Sequence, residues 1–265
     1  MILCFHTIGV LQHLIDPFSV QMDMAMMTLH KVLSALPSSQ PFSLQLFRES
    51  WNEAGKIPKI YAGYSDIAAL VEGLIANLQL KYFTDRPPFF TRIFGSFNCP
   101  ACDKTYDMVL NWENQTTENI ILLQLPDNEE DVDVYELYYN FLTESFTTRC
   151  DVPECRNVIH GGIRIRDPGL YTVIAVNRLD IDNPSKKLKN RLKYTHRYEH
   201  EYPLLGKLVS VACHRGDVEK GHFISYHLVD DQWYLNNDSQ DCTPCNNPLS
   251  CTSRDETIEL LFFQN

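Results

Sequence analysis

Apolar residues recur at helical spacing through the first third of the chain and at strand spacing through most of the rest. Ile8, Leu11, Leu14 and Ile15 fall on one helix face, as do Met27, His30, Leu33 and Leu36, and later Leu70, Leu74, Ile75 and Leu78. Breaks at Pro17, at Pro37-Ser38-Ser39 and between Gly55 and Gly63 separate these predicted helices. The stripes are rich in Met and Leu and read as core. From about Pro87 the pattern changes to short alternating runs between turns. Ile163–Ile165, Tyr171–Leu179, Leu205–Cys213, His222–Leu228 and Glu259–Phe263 predict strands, with one helical interlude at Val134–Phe141. Helices followed by strands describe an α+β arrangement, not an alternating parallel sheet.

The strand signal is sharpest near the end of the chain. Gly221-His222-Phe223-Ile224-Ser225-Tyr226 alternates, Asp230-Asp231 predicts a turn, and Gln232 to Ser239 predicts a returning strand. That hairpin brings an acid, Asp238, beside His222, the arrangement that orients an imidazole in a nucleophilic triad. A hairpin carrying a half-buried histidine would give the same local pattern.

Cysteine spacing adds a second chemistry. Cys99-Pro100-Ala101-Cys102 is a tight two-thiol turn, and Cys150 to Cys155 is a wider one. Two such pairs separated by strand-like sequence suit a tetrahedral Cys4 zinc site, which would be structural because four thiolates leave no position for water. Cys242-Thr243-Pro244-Cys245, with Cys251 nearby, resembles a further knuckle whose role stays open.

Composition narrows the partners. The 265 residues are 44% hydrophobic and 22% charged, with nine cysteines and a net charge of −11. The chain is long enough for a substantial core. Its acidity argues against nucleic acid as the main partner, since phosphate binding needs clustered Lys and Arg. The basic run Lys186 to Lys193 reads as a solvated loop, with a nuclear-import or nucleic-acid patch as the alternative. Met1 to Ile15 is apolar but lacks a basic start and a small-residue cleavage site, so it reads as a buried helix and not a leader. No membrane span is expected. An odd number of cysteines in close pairs points to a reducing compartment, cytoplasmic or nuclear.

Taken in order, these features resemble the ubiquitin-specific proteases. Gly221-His222 with Trp233 to Ser239 is similar to that family's histidine box. Leu11-Gln12 resembles the helix after its nucleophile, Tyr64 to Leu70 a helix start capped by Asp66, and Ala175 to Leu179 a strand usually written Leu-Lys-Arg-Phe. Val209 to Gly216 resembles the strand and His-x-Gly turn before the box, and Leu260-Leu261-Phe262-Phe263 the closing strand. The resemblance implies one papain-like cysteine protease domain over 1–265, with a helical thumb (1–85), β-rich zinc-knuckle fingers (86–162) and an antiparallel β palm (163–265). It implies His222 as base, Asp238 as its orienter, Cys4 as nucleophile, a zinc on Cys99, Cys102, Cys150 and Cys155, and ubiquitin or ubiquitinated proteins as partners.

The nucleophile is where the pattern thins. Counting back from Leu11-Gln12 without a gap places Phe5 at the nucleophile position, so Cys4 requires one extra residue in the first helical turn. One residue rotates a helical side chain by about 100 degrees. Met1, Ile2 and Leu3 precede Cys4 and include no asparagine for an oxyanion site. Two expectations stand from this: an active deubiquitinase whose true start lies further upstream, or a pseudoenzyme that keeps the fold as a ubiquitin-binding module. A protease for a ubiquitin-like modifier is a third, remote one.

Overall fold

The computed structural model describes residues 67–69, 71–72, 75, 89, 92–109, 120–127, 131–167, 169–183, 185–194, 205–218, 220–237, 242–251 and 255–265. The expected helices before residue 67, together with Cys4, Asp66 and Asp238, lie outside these residues. Within the expected thumb, residues 67–69, 71–72 and 75 are helical, and Ile67, Val71 and Ile75 are buried at four-residue spacing along one face.

In chain order the described elements are β1 (Arg92–Cys99), β2 (Lys104–Val109), β3 (Ile121–Gln124), β4 (Val132–Asp133) and α1 (Val134–Thr143). There follow β5 (Ser145–Arg149), β6 (Val158–Asp167), β7 (Tyr171–Asn177), β8 (Leu192–Lys193) and β9 (Lys207–Gly216). The last are β10 (Gly221–Val229), β11 (Gln232–Asn236), β12 (Thr243–Cys245), the short helix α2 (Pro248–Cys251) and β13 (Glu256–Gln264). A four-stranded sheet, β2-β1-β6-β5, carries the knuckles, and a seven-stranded sheet, β12-β11-β10-β9-β13-β7-β3, carries the histidine hairpin. All pairs in the large sheet are antiparallel except the edge pair β3–β7, which is parallel and departs from a purely antiparallel palm.

Alternation explains most of these elements. Along β9 and β10 one set of side chains, Val211, Cys213, Ile224 and Tyr226, joins Leu261 and Phe263 of β13 in the main core. Helix α1 closes that face: Val134, Leu137, Tyr138 and Leu142 recur at three- and four-residue spacing and are buried. Its start is set by Asp133, whose carboxylate accepts from the Tyr135 N–H at 2.8 Å as an N-cap. The opposite set, including Ser210, Val173 and Phe262, is buried too. Burial of both faces makes β7 and β13 read as continuous apolar runs where a one-sided sheet would alternate.

Arg178 locks the end of β7. Its side chain is buried and donates to the carbonyls of Ile258, Leu188 and Asn190 at 2.6, 3.1 and 2.9 Å. Burial brings its pKa down to about 10, still cationic at neutral pH.

Candidate active site and metal centre

His222 stands at the start of β10, where three strands converge. The turn from β9 is made by Gly216, in the left-handed region at φ 121°, and closed by Asp217 N–H donating to the Lys220 carbonyl at 2.9 Å. The turn from β10 to β11 is Asp230-Asp231, as expected. Both residues have positive φ, 48° and 62°, the geometry of a two-residue hairpin whose twist matches the strands. Lys207 pairs with the Asp231 carboxylate across this end.

The register then decides which side chain reaches the imidazole. Tyr226 pairs with Leu235 and Ser225 with Asn236, so residue 237 falls on the face that carries His222, Ile224 and Tyr226. The Asn237 carboxamide oxygen lies 2.6 Å from His222 Nε2 and accepts its proton. That bond selects the Nε2–H tautomer and leaves Nδ1 as the ring nitrogen able to take a proton from a nucleophile. The sequence points to Asp238 instead, because an acid is the usual orienter of such an imidazole. Strand parity counted from Trp233 was the signal that could have found Asn237.

Below His222, Arg215 is its direct cross-strand partner and Glu256 is the partner of Arg215 on β13. Arg215 donates to one oxygen of Glu256, and Tyr226 Oη donates to the other at 3.0 Å. The three strands that deliver the base are thus tied by a charge-assisted network. A cleft of about 560 Å³ opens on the other face, lined by Phe223, Leu122, Leu179, Val218, Glu259 and the ring of His214.

The four knuckle cysteines converge as expected. Cys99 and Cys102 flank the β1–β2 turn, whose tight geometry places Asp103 at φ 52°. Cys150 and Cys155 flank the β5–β6 connection. There the Val152 carbonyl accepts from Cys155 and Arg156 N–H at 3.0 and 3.2 Å, absorbing the two extra residues of the wider knuckle. The four sulfurs lie within 4.8 Å of one another, with Cys99–Cys155 at 3.5 Å and Cys102–Cys150 at 3.6 Å. Zn–S bonds of about 2.3 Å in a tetrahedron require sulfurs about 3.8 Å apart, so the donor set fits zinc.

The thiols differ in acidity. For Cys99, burial raises the pKa, but the Ala101 and Cys102 N–H groups and neighbouring thiols outweigh it and bring it to about 7. For Cys102, burial and its neighbours Cys99 and Cys150 push the pKa up to about 12. Without a cation the cluster cannot hold four thiolates; a divalent ion would supply the missing charge.

The third cysteine pair is built differently. Cys245 and its two predecessors form β12, an edge strand on β11 that tolerates Pro244. Residues three apart in extended chain are about 10 Å apart, too far for a knuckle or a disulfide. Cys242 instead accepts from Asn236 Nδ2 at 3.3 Å, and Cys245 packs against the palm core. The basic run is similarly absorbed: Lys186, Lys189 and Lys193 pair with Asp180, Asp217 and Asp131, and Lys187 is buried against Glu259. No helix among the described residues is long and apolar enough to cross a membrane.

Residues 95–263, more than half of the chain, match the ubiquitin carboxyl-terminal hydrolase family. The chain belongs to that family. The matched segment contains His222, Asn237, Asp238 and the four knuckle cysteines; Cys4 precedes it. Among solved structures the chain is similar to one titled as the SAGA DUB module Ubp8/Sgf11/Sus1/Sgf73 bound to monoubiquitin. The TM-score is 0.67 at 15% identity, over 99% of this chain and 63% of that one. The chain therefore spans just under two thirds of that relative's length, and the likeness establishes the ubiquitin-specific protease fold. No curated protein matches.

Proposed function

We propose that this domain hydrolyses the bond after ubiquitin's C-terminal glycine by thiol chemistry. The observation that carries this reading is the 2.6 Å bond from His222 Nε2 to Asn237, because a binding module gains nothing from fixing an imidazole in the tautomer a base requires. In this mechanism Cys4 Sγ gives its proton to His222 Nδ1 and attacks the glycine carbonyl. The tetrahedral adduct collapses to a thioester as His222 returns the proton to the leaving amine. Water, deprotonated by the same nitrogen, then releases ubiquitin's carboxylate and regenerates the thiol. Asn237 holds the ring in place through both steps. Asp238, next along, is the alternative orienter.

Cys99, Cys102, Cys150 and Cys155 would hold one structural zinc, which when bound cross-links the two hairpin ends of the small sheet. The acidic chain suits ubiquitin's basic face, and an odd number of cysteines in close pairs supports a reducing setting, cytoplasmic or nuclear. The competing reading, a pseudoenzyme that binds ubiquitin, rests on Ile2 and Leu3 next to Cys4, neither of which has a side-chain donor for an oxyanion.

Hydrolysis of ubiquitin carrying a C-terminal fluorophore tests this reading. Turnover lost in both Cys4→Ser and His222→Ala supports it. Ubiquitin binding with no turnover in any form makes the domain a pseudoenzyme, and turnover that survives Cys4→Ser sinks the assignment of the nucleophile.

A further inference from the structure

The residues flanking His222 along β10, Gly221 and Phe223, point to the opposite face of the sheet, and both meet one ring. His214 on β9 is the register partner of Phe223, and their rings lie 4.7 Å apart between centroids. A Cβ added to Gly221 would sit 2.0 Å from His214 Nε2, so the imidazole occupies the space a side chain there would need. This close approach accounts for glycine before the candidate base.

The far edge of the ring is held as firmly. Lys187 Nζ donates to His214 Nδ1 at 2.5 Å and to Glu259 at 2.7 Å, and the lysine side chain is only 6% exposed. Glu259 reaches this position because β13 is bulged between Ile258 and Leu260. An ammonium donating to Nδ1 requires that nitrogen to be unprotonated, so the ring proton is on Nε2. Thr257 Oγ1 donates to the His214 carbonyl at 3.0 Å and fixes the backbone beneath.

We infer that His214, set in one tautomer by Lys187, is a positioning residue that clamps the backbone through Gly221-His222-Phe223 and so aims His222 at Asn237. The inference rests on the proposed role of His222 as a base, but the clamp acts on its orientation and not on substrate. His214 faces Lys187, Glu259, His222 and Asp217. Burial first, then the Lys187 charge, hold its titration below the ordinary 6.5, with Glu259 opposing. It therefore stays neutral at physiological pH.

The test reads the imidazole nitrogens by 15N NMR, which needs no turnover. In the wild type, His214 and His222 should each show one Nε2–H tautomer, with His214 unprotonated down to below pH 6.5. Lys187→Gln keeps the ring packing but removes the cation. It should mix the His214 tautomers and, with Glu259 left 3.8 Å away, raise its titration midpoint by about one pH unit. In the same variant the His222 Nε2–H should exchange with solvent about tenfold faster, with the expected loss in kcat and little change in KM. His214→Leu should do the same to His222; if that variant does not fold, Lys187→Gln decides alone. A His222 tautomer and exchange rate unchanged in Lys187→Gln would overturn the clamp, even if the enzyme is active. An absence of turnover with the NMR changes intact would instead sink the catalytic reading and leave the clamp standing.

Discussion

The palm hairpin and the tips of the small sheet solve the same problem, holding reactive side chains in register, by different means. Among the described residues, the main core around His222 contains 22 buried side chains, with strand β9 paired on both sides and Phe263 and Leu261 fully enclosed. At the knuckles the buried cluster among the described residues is Phe97, Cys99, Cys150 and Ile159, two of them metal-binding candidates. The palm needs no cross-link because apolar burial at about 25 cal/mol per Å² already fixes it. The described core at the knuckle end is small, and a cation shared among the four thiols would supply there the order that apolar burial supplies in the palm.

Metal removal should separate the two regions most strongly. Cys150→Ser, or a chelator, should lower bound zinc from about one equivalent to about zero and unlock amide exchange at the β1–β2 and β5–β6 ends while β9 to β11 stay protected. Zinc uptake should release protons at pH 7.5, because Cys102, at about 12, is then still protonated, even though Cys99, at about 7, is largely thiolate. Uptake should therefore weaken as the pH falls. Phe263→Ala should act the other way, destabilising the palm by about 3–5 kcal/mol in urea unfolding with zinc stoichiometry unchanged.

Within the palm, Asn237→Ala should lower kcat about a hundredfold while leaving the fold intact. Asn237→Asp should keep most activity, since a carboxylate oxygen at the same position can still accept from the His222 Nε2–H. The weakest effect is expected at Lys104, whose bond to Asp151 at 3.1 Å joins the two knuckles but is exposed at both ends. Lys104→Ala should leave the urea-unfolding midpoint nearly unchanged.

What could be read from the sequence follows the physics of each region. Period-two alternation made β6, β9 and β10 legible, and the Asp230-Asp231 turn with them, while β7 and β13 were legible as short continuous apolar runs buried on both faces. The Cys99 and Cys150 pairs were legible because a knuckle is a local object. Asn237 was not, since its role depends on β10–β11 register and not on residue type. The Glu259 bulge was hidden for the same reason: an inserted residue in a strand leaves no mark in hydrophobicity. Cys242-Thr243-Pro244-Cys245 looked like a knuckle, but pairing with Trp233, Tyr234 and Leu235 draws it into an extended edge strand. The parallel β3–β7 pair joins segments about fifty residues apart, beyond the reach of any local pattern.

The central claim is that the palm hairpin holds a working base, and labelling by a ubiquitin probe with a thiol-reactive C-terminal group tests it most directly. Intact-mass analysis should show one adduct on the wild-type chain, none on Cys4→Ala, and labelling slowed by at least about a hundredfold on His222→Ala. A folded wild-type chain that binds ubiquitin yet forms no adduct, or one that His222→Ala labels as fast as wild type, would contradict it.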